Sequence, residues 1–322
     1  MSWVLTISQI TFTILTTMCT VFDIVLLLSV IKQRFFTSST SKTPFVYITA
    51  MTLSGIIGKF ADFFMVDAWP IGDLIDPVNG YENYRKLIGK QITLIATYCY
   101  LIAIFLNCLM TCHRVSILCS PAKAPQWFTD IKLALYSMSI MLILFVVLLI
   151  PYYSECSLNF NARASFHEAA CAPKRHQLTL IQNQYLIWVP VSAVTVNVSM
   201  ILYIKFSRKF IKKPISLSLT TIKRENEMIR QACFIATEIS IFEVGYLFMR
   251  LYPDEFESLP QEVQTITYLV RLFAFCSLNF FVYFVETKST RNLVLNYIGW
   301  RTNSTKLVTP TIVSITQVKR IS

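Results

Sequence analysis

The chain has 322 residues, 54% of them hydrophobic and only 15% charged, with a mean hydropathy of +0.54 and a formal net charge of +11. A soluble chain of this length and composition would carry more apolar surface than it can bury, so lipid is the remaining solvent. The basic residues flank apolar runs and form no separate soluble domain, which argues against nucleic acid and for anionic lipid headgroups or an acidic partner.

Seven stretches have about the 20 residues needed to cross a hydrocarbon core of roughly 30 Å. They are 4–31, 45–66, 87–111, 131–151, 185–206, 231–251 and 263–285, and they predict an all-α membrane protein, a seven-transmembrane helix bundle in a single domain over 1–322. The first stretch is read as retained: Met1, Ser2 and Trp3 offer no basic region, and its apolar run is about twice that of a signal peptide. The first, third and fifth connections and the tail carry 20 of the 29 Lys and Arg, against 6 on the other side. By the positive-inside rule the N-terminus is then outside and the C-terminus cytoplasmic. The run Lys223 to Arg230 consists of good helix formers, so the sixth helix is expected to extend into the cytoplasm. After Glu286, apolar Leu293, Val294 and Ile298 beside Lys288 and Arg291 predict a short interfacial helix within the 286–322 tail.

Cysteines separate by compartment. Only Cys156 and Cys171 fall in an outer loop, and a disulfide between them would close a loop whose chain-entropy contribution is about 3 kcal/mol. The others read as apolar residues or reduced thiols, Cys119 included. The three histidines, His113, His167 and His176, form no metal-ligand set, and no HExxH, GxSxG or paired CxxC occurs, so neither a metal, a cofactor nor an enzymatic activity is expected.

Ionisable residues inside spans each cost at least about 2.5 to 3.5 kcal/mol at mid-helix unless paired or hydrated. Here they are Asp23, Lys59, Asp62, Lys90, Glu238, Glu243 and Arg271. Lys59 and Asp62 are three apart and share a helix face. Glu243 and Arg271 each lie eight residues from the outer end of their span, roughly 12 Å down, and with Lys59 predict a polar floor under a cavity open to the outside. That set reads equally as a salt bridge that orders the bundle. Asp23 and Asn279 are expected to join one water-linked network in the inner half, of the kind that holds two helix arrangements close in energy.

An Arg ends the third span as Cys112-His113-Arg114, and the seventh carries Asn279-Phe280-Phe281-Val282-Tyr283. With the seven spans and the basic third inner loop, these motifs resemble the rhodopsin-like G-protein-coupled receptors, with Arg114, Asn279 and Tyr283 on matching positions. His113 replaces that family's acid and Phe280 its proline, which puts the local Arg clamp and the seventh-helix kink in question; Glu227 is the alternative partner for Arg114. The third span has no Cys near its outer end, and the sixth lacks Trp-x-Pro. The first inner loop, Phe35 to Thr40 before Lys42-Thr43-Pro44-Phe45, is similar to that of the nematode serpentine chemoreceptors, in the Srg superfamily of classes G, V, X and XA, with XA or V the nearest.

The resemblance implies a multi-pass plasma-membrane receptor of sensory neurons. It would bind a small molecule in the outer half of the bundle and activate a heterotrimeric G protein. Lys59, Lys90, Tyr98, Tyr100, Trp188, Glu243, Tyr246, Tyr268 and Arg271 are then pocket candidates, and Arg114, Glu227, Asp23, Asn279 and Tyr283 the switch on the G-protein side. A multi-pass transporter or channel using the intramembrane charges is the alternative reading. The absence of an internal repeat and the odd number of spans oppose it.

Overall fold

In hydrocarbon every backbone N–H and C=O must be satisfied within its own segment, and the apolar runs are accordingly helical. The computed structural model describes residues 3–36, 45–67, 74, 76, 79–120, 123–162, 166–172, 174–210, 229–230, 233–245, 247, 252, 255–256 and 258–300. Among them six helices are long and apolar enough to cross a membrane. The stretch 231–251 is described only in part, with 233–245 helical.

Helix α1 spans Trp3–Phe36 and α2 Phe45–Val66. The third helix, α3, runs over Gly80–Cys119 with a π segment at Arg85–Gly89, and α4 covers Asp130–Tyr152. Helix α5 is Trp188–Phe210, preceded by a helical lead-in Gln177–Tyr185. Residues 233–245 are α6, Gln261–Phe280 is α7, and Lys288–Ile298 is α8.

Two of these helices outrun their predicted spans. Helix α1 continues through Lys32, Gln33 and Arg34, and Lys32 Nζ lies 5.2 Å from the Tyr297 ring of α8. Helix α3 begins at Gly80, ahead of Leu87, and passes Thr111 to reach Cys119, so Arg114 is a buried residue within a helix. It stops where Ser120, φ −141° and ψ 65°, precedes Pro121, a position that disfavours the α conformation.

The missing proline at 280 does not leave α7 regular: Phe281–Glu286 is a π segment. Thr287 Oγ1 donates to the Val282 carbonyl at 2.6 Å and closes that segment. Helix α8 then ends at Gly299, whose φ of 80° provides the left-handed cap that favours glycine.

Small residues allow close helix contact where lipid provides no hydrophobic drive between helices. A Cβ at Gly58 of α2 would lie 3.1 Å from Cys99 Cβ of α3. Helices α1 and α7 meet through Phe22, whose ring packs edge-on against Phe280 and Phe284. Helix α5 is tied to α3 where Asn197 Nδ2 donates to Thr111 Oγ1 at 3.0 Å.

One feature of the fold had no counterpart in the hydropathy pattern. Between α4 and the α5 lead-in the chain forms an antiparallel hairpin, β1 Leu158–Asn161 and β2 Phe166–Ala169, paired from Leu158↔Ala169 to Asn161↔Phe166. A Cys156–Cys171 disulfide joins its ends. The hairpin lies on α3: the Phe160 amide donates to Thr93 Oγ1 (3.2 Å), Asn159 Nδ2 to the Arg85 carbonyl (3.1 Å), and the Ala162 amide to Tyr81 Oη (2.8 Å). Arg85 forms an ion pair with Glu168. A Cβ at Gly89 would meet Asn159 Oδ1 at 2.7 Å, so a glycine is what lets β1 approach the helix.

Candidate ligand cavity and the polar column beneath it

At the hairpin end of the bundle, α2, α3, α6 and α7 diverge around a cavity of about 120 Å³. The hairpin and the α5 lead-in cover it, the first through Leu158 and His167, the second through Thr179, Gln182 and Asn183. Phe160 stacks on Tyr268 with ring centroids 4.9 Å apart, which fixes the hairpin to α7, and Phe160 also packs edge-on to His167. A volume of this size admits a few waters or one small molecule.

The wall is unusually polar for a membrane interior. Tyr268 and Arg271 come from α7, Glu243 from α6, Tyr100 and Thr97 from α3, Asp62 from α2 and Arg175 from the segment after the disulfide. Tyr100 Oη donates to Glu243 Oε1, and its ring packs against Phe242 and Phe275. The Arg271 guanidinium lies over the Phe242 ring, 4.4 Å from its centroid. Thr97 and Tyr152 hydroxyls are 2.8 Å apart. His167, in the hairpin, is pushed down to about 3 by burial and by the nearby Arg271 and Arg175 charges, so its imidazole is neutral.

Of the pocket candidates, Glu243, Tyr268 and Arg271 line this cavity, together with Tyr100. Lys59, Lys90, Tyr98 and Trp188 are elsewhere. Lys90 Nζ lies over the Tyr153 ring at 4.5 Å. Tyr98 turns to α4, donating to the Met141 carbonyl at 3.1 Å and packing edge-on against Phe145. Trp188, 65% exposed, is on the outer surface of α5, where an indole suits a membrane interface. Tyr246 and Glu227 lie outside the described residues. His167, Arg175 and Asp62 complete the wall, and no sequence signal places the first two there, since they reach it through the hairpin and its disulfide.

Lys59 belongs to a second polar group, deeper in the bundle. Its ammonium donates to Asp23 Oδ2 at 2.6 Å, and Asn279 Nδ2 donates to the same oxygen at 2.9 Å. Its partner is thus Asp23 of α1 and not Asp62, three residues along its own helix, because the side chain points across to the α1–α7 seam. All three are buried, with Asp23 fully so. The Asp23–Asn279 link is direct and needs no bridging water. Gly55 makes the space: a Cβ there would fall 2.5 Å from Asn279 Nδ2 and 3.1 Å from Asp23 Oδ2. Asp62, released from Lys59, accepts from Cys276 Sγ at 3.5 Å, and it also lines the cavity, so it stands between the two groups.

The column continues toward the tail end. Below Asn279, Tyr283 is buried in the π segment. Glu286, its last residue, forms an ion pair with Arg230 near the start of the sixth helical stretch. Arg114 is buried in α3, and neighbouring His113 stacks on Phe128 at 4.4 Å.

The architecture defines the class: an all-α, multi-pass membrane protein. The family described as "Caenorhabditis serpentine receptor-like protein, class xa" matches residues 42–198. The chain is also 29% identical over 289 residues to Serpentine receptor class XA 10 of Caenorhabditis elegans, covering 82% of this chain and 83% of the relative. Both findings make the chain similar to the nematode serpentine receptors of class XA.

Proposed function

We propose that the chain is a chemosensory G-protein-coupled receptor that binds a small molecule in the hairpin-covered cavity and activates a heterotrimeric G protein at the tail end. In this reading the hairpin end is extracellular and the tail end cytoplasmic, which the distribution of Lys and Arg supports. The membrane is the plasma membrane, by family resemblance that of a sensory neuron, and 1–322 acts as one receptor domain with α8 at the inner interface.

The observation that carries the reading is the position of α7. One helix presents Tyr268 and Arg271 to the cavity, Asn279 to Asp23, and then enters the π segment that holds Tyr283 and Glu286. A ligand that contacts Tyr268 and Arg271 better in one arrangement of α7 shifts the population of that arrangement. The π segment is the natural place for the change to be absorbed, since one register of backbone hydrogen bonds can be exchanged there for another. Arg114, with Glu227 as its proposed partner, reads the result on the G-protein side.

The test is G-protein activation in cells expressing the chain, screened against volatile and water-soluble small molecules, with Arg114→Ala and Arg271→Ala alongside. Arg114→Ala is expected to bind ligand and not signal, and Arg271→Ala to lose binding. Surface-expressed protein that stays silent while passing current or substrate in cells without G proteins would replace this reading with a transporter or channel.

A further inference from the structure

Of the intramembrane carboxyl groups, Asp23, Asp62 and Glu243 each accept a hydrogen bond from another helix. Glu238 does not: among the described residues it has neither a hydrogen bond nor an ion pair. It is half-buried on α6, where it borders a gap of about 10 Å³ together with Tyr100 of α3 and Ala274, Phe275 and Leu278 of α7. That is room for about one water-sized group. Glu238 is seven residues into the apolar stretch 231–251, roughly 10 Å from its tail-end boundary, and helical side chains lean toward the helix N-terminus, which brings the carboxyl nearer that boundary. The edge of α6 that carries it faces outward: Ile241 and Gly245, three and seven residues on, are exposed, and a Cβ at Gly245 would meet nothing within 4 Å. On α7 the exposed Val270 is one turn from Ala274. Glu238 and Ala274 meet at the gap, so these outward edges flank one shallow trough that opens to lipid.

We propose that this trough binds a sterol from the leaflet at the tail end, its hydroxyl inserted in the gap beside the Glu238 carboxyl and its ring system laid along Ile241, Gly245, Ala274 and Val270. A polar group without a partner in hydrocarbon costs free energy, and the partner available on a lipid-facing edge is a molecule dissolved in the bilayer. A neutral hydroxyl donates to a carboxyl in either protonation state, and the gap takes nothing larger, which excludes phosphate and choline headgroups. Gly245 and Ala274 offer a flat bed to a rigid body that gives up little conformational entropy on binding, whereas the acyl chains of a diacylglycerol would have to be ordered there. Tyr100, Phe242 and Phe275 border both this gap and the larger cavity, so a bound sterol rests against the back of the cavity wall. The site does not depend on the larger cavity being the place where a cue binds.

The experiment uses the purified full-length chain in phosphatidylcholine nanodiscs that contain cholesterol carrying a diazirine on its ring system. After illumination the labelled peptides are identified by mass spectrometry, and the label is competed with unlabelled lipids. Label is expected on α6 and α7 around Glu238 and Ala274, displaced by cholesterol and about five- to tenfold less well by cholestane, which lacks the hydroxyl, or by dioleoylglycerol. Glu238→Leu is expected to lower the labelling about five- to tenfold, and Glu238→Gln, which retains an acceptor, by less. The Leu variant removes an unpaired polar group from hydrocarbon, so its folding is not at risk. Ala274→Leu, which fills the trough, is expected to lower the labelling with the carboxyl still in place. Label elsewhere in the chain, unchanged labelling in Glu238→Leu or Ala274→Leu, or displacement by cholestane or dioleoylglycerol as good as by cholesterol overturns the proposal.

Discussion

Replacing Lys59 by Met removes a cation from one of the most enclosed places in the chain. Asp23 and Lys59 are almost completely buried and 2.6 Å apart. At an effective dielectric constant near 20, two unit charges at that separation attract by about 6 kcal/mol, most of which offsets the loss of hydration on burial. Lys59→Met leaves the Asp23 carboxylate with Asn279 and no counter-charge, which should cost about 3 to 5 kcal/mol. Adding Asp23→Asn removes the stranded charge. The double variant should therefore recover at least about 2 kcal/mol relative to Lys59→Met, and the two singles should not add. The assay is thermal unfolding of the four proteins of this cycle in nanodiscs, with the single variants melting roughly 5 to 10 °C below wild type. If both singles melt within a degree of wild type, or if the double loses the sum of the two, the pair does not hold α1 to α2 and the reasoning fails.

Gly55→Ala should destabilise by about 1 to 3 kcal/mol, because its methyl group must push Asn279 off Asp23; a melting temperature equal to wild type would show that the seam can open without cost. Breaking the Cys156–Cys171 bond with Cys156→Ser/Cys171→Ser should cost about 3 kcal/mol by loop entropy, read as a lower melting temperature that no longer responds to reductant. The pH dependence follows from His167, whose folded pKa of about 3 is below the ordinary 6.5. Its neutral form is the one that the fold prefers, so the stability it contributes is complete above pH 6.5 and lost as the pH falls toward 3; His167→Gln should flatten that decline in an acid series of unfolding curves. The Arg230–Glu286 pair is partly solvated, and Glu286→Gln should cost no more than about 1 kcal/mol in unfolding. A larger loss would mean that the pair bears on packing at the end of α7.

Much of the fold was legible because a membrane imposes simple rules. Run length sets where the helices are, and six of the stretches are found as long apolar helices with bounds shifted by a few residues. The shifts occur at ends such as Lys32 to Arg34 and Gly80 to Arg85, where polar side chains continue a helix that hydropathy no longer marks. The Asp23–Asn279 contact could be anticipated from depth alone, since both lie at similar distances from the tail end of their helices. Depth was not enough for Lys59: a flexible four-carbon stem carries its charge away from its own Cα level, and which carboxylate it meets depends on helix rotation and on the space left by Gly55. Tyr98 and Trp188 show the same limit. An aromatic residue at the right depth lines a cavity only if its face of the helix turns inward, and these two turn to α4 and to the outer surface.

What the sequence by itself determined is the solvent, the helices, the side on which charge accumulates and the identity of the groups that must be neutralised inside. These follow from transfer free energies, which are properties of residues one at a time. Only the tertiary structure decided which of those groups meet. Asp23 with Lys59, Tyr100 with Glu243 and Phe160 with Tyr268 each join residues far apart in the chain. Those encounters depend on the rotation of whole helices and on a disulfide-closed hairpin, and both are set by packing between segments, which no single run of residues encodes.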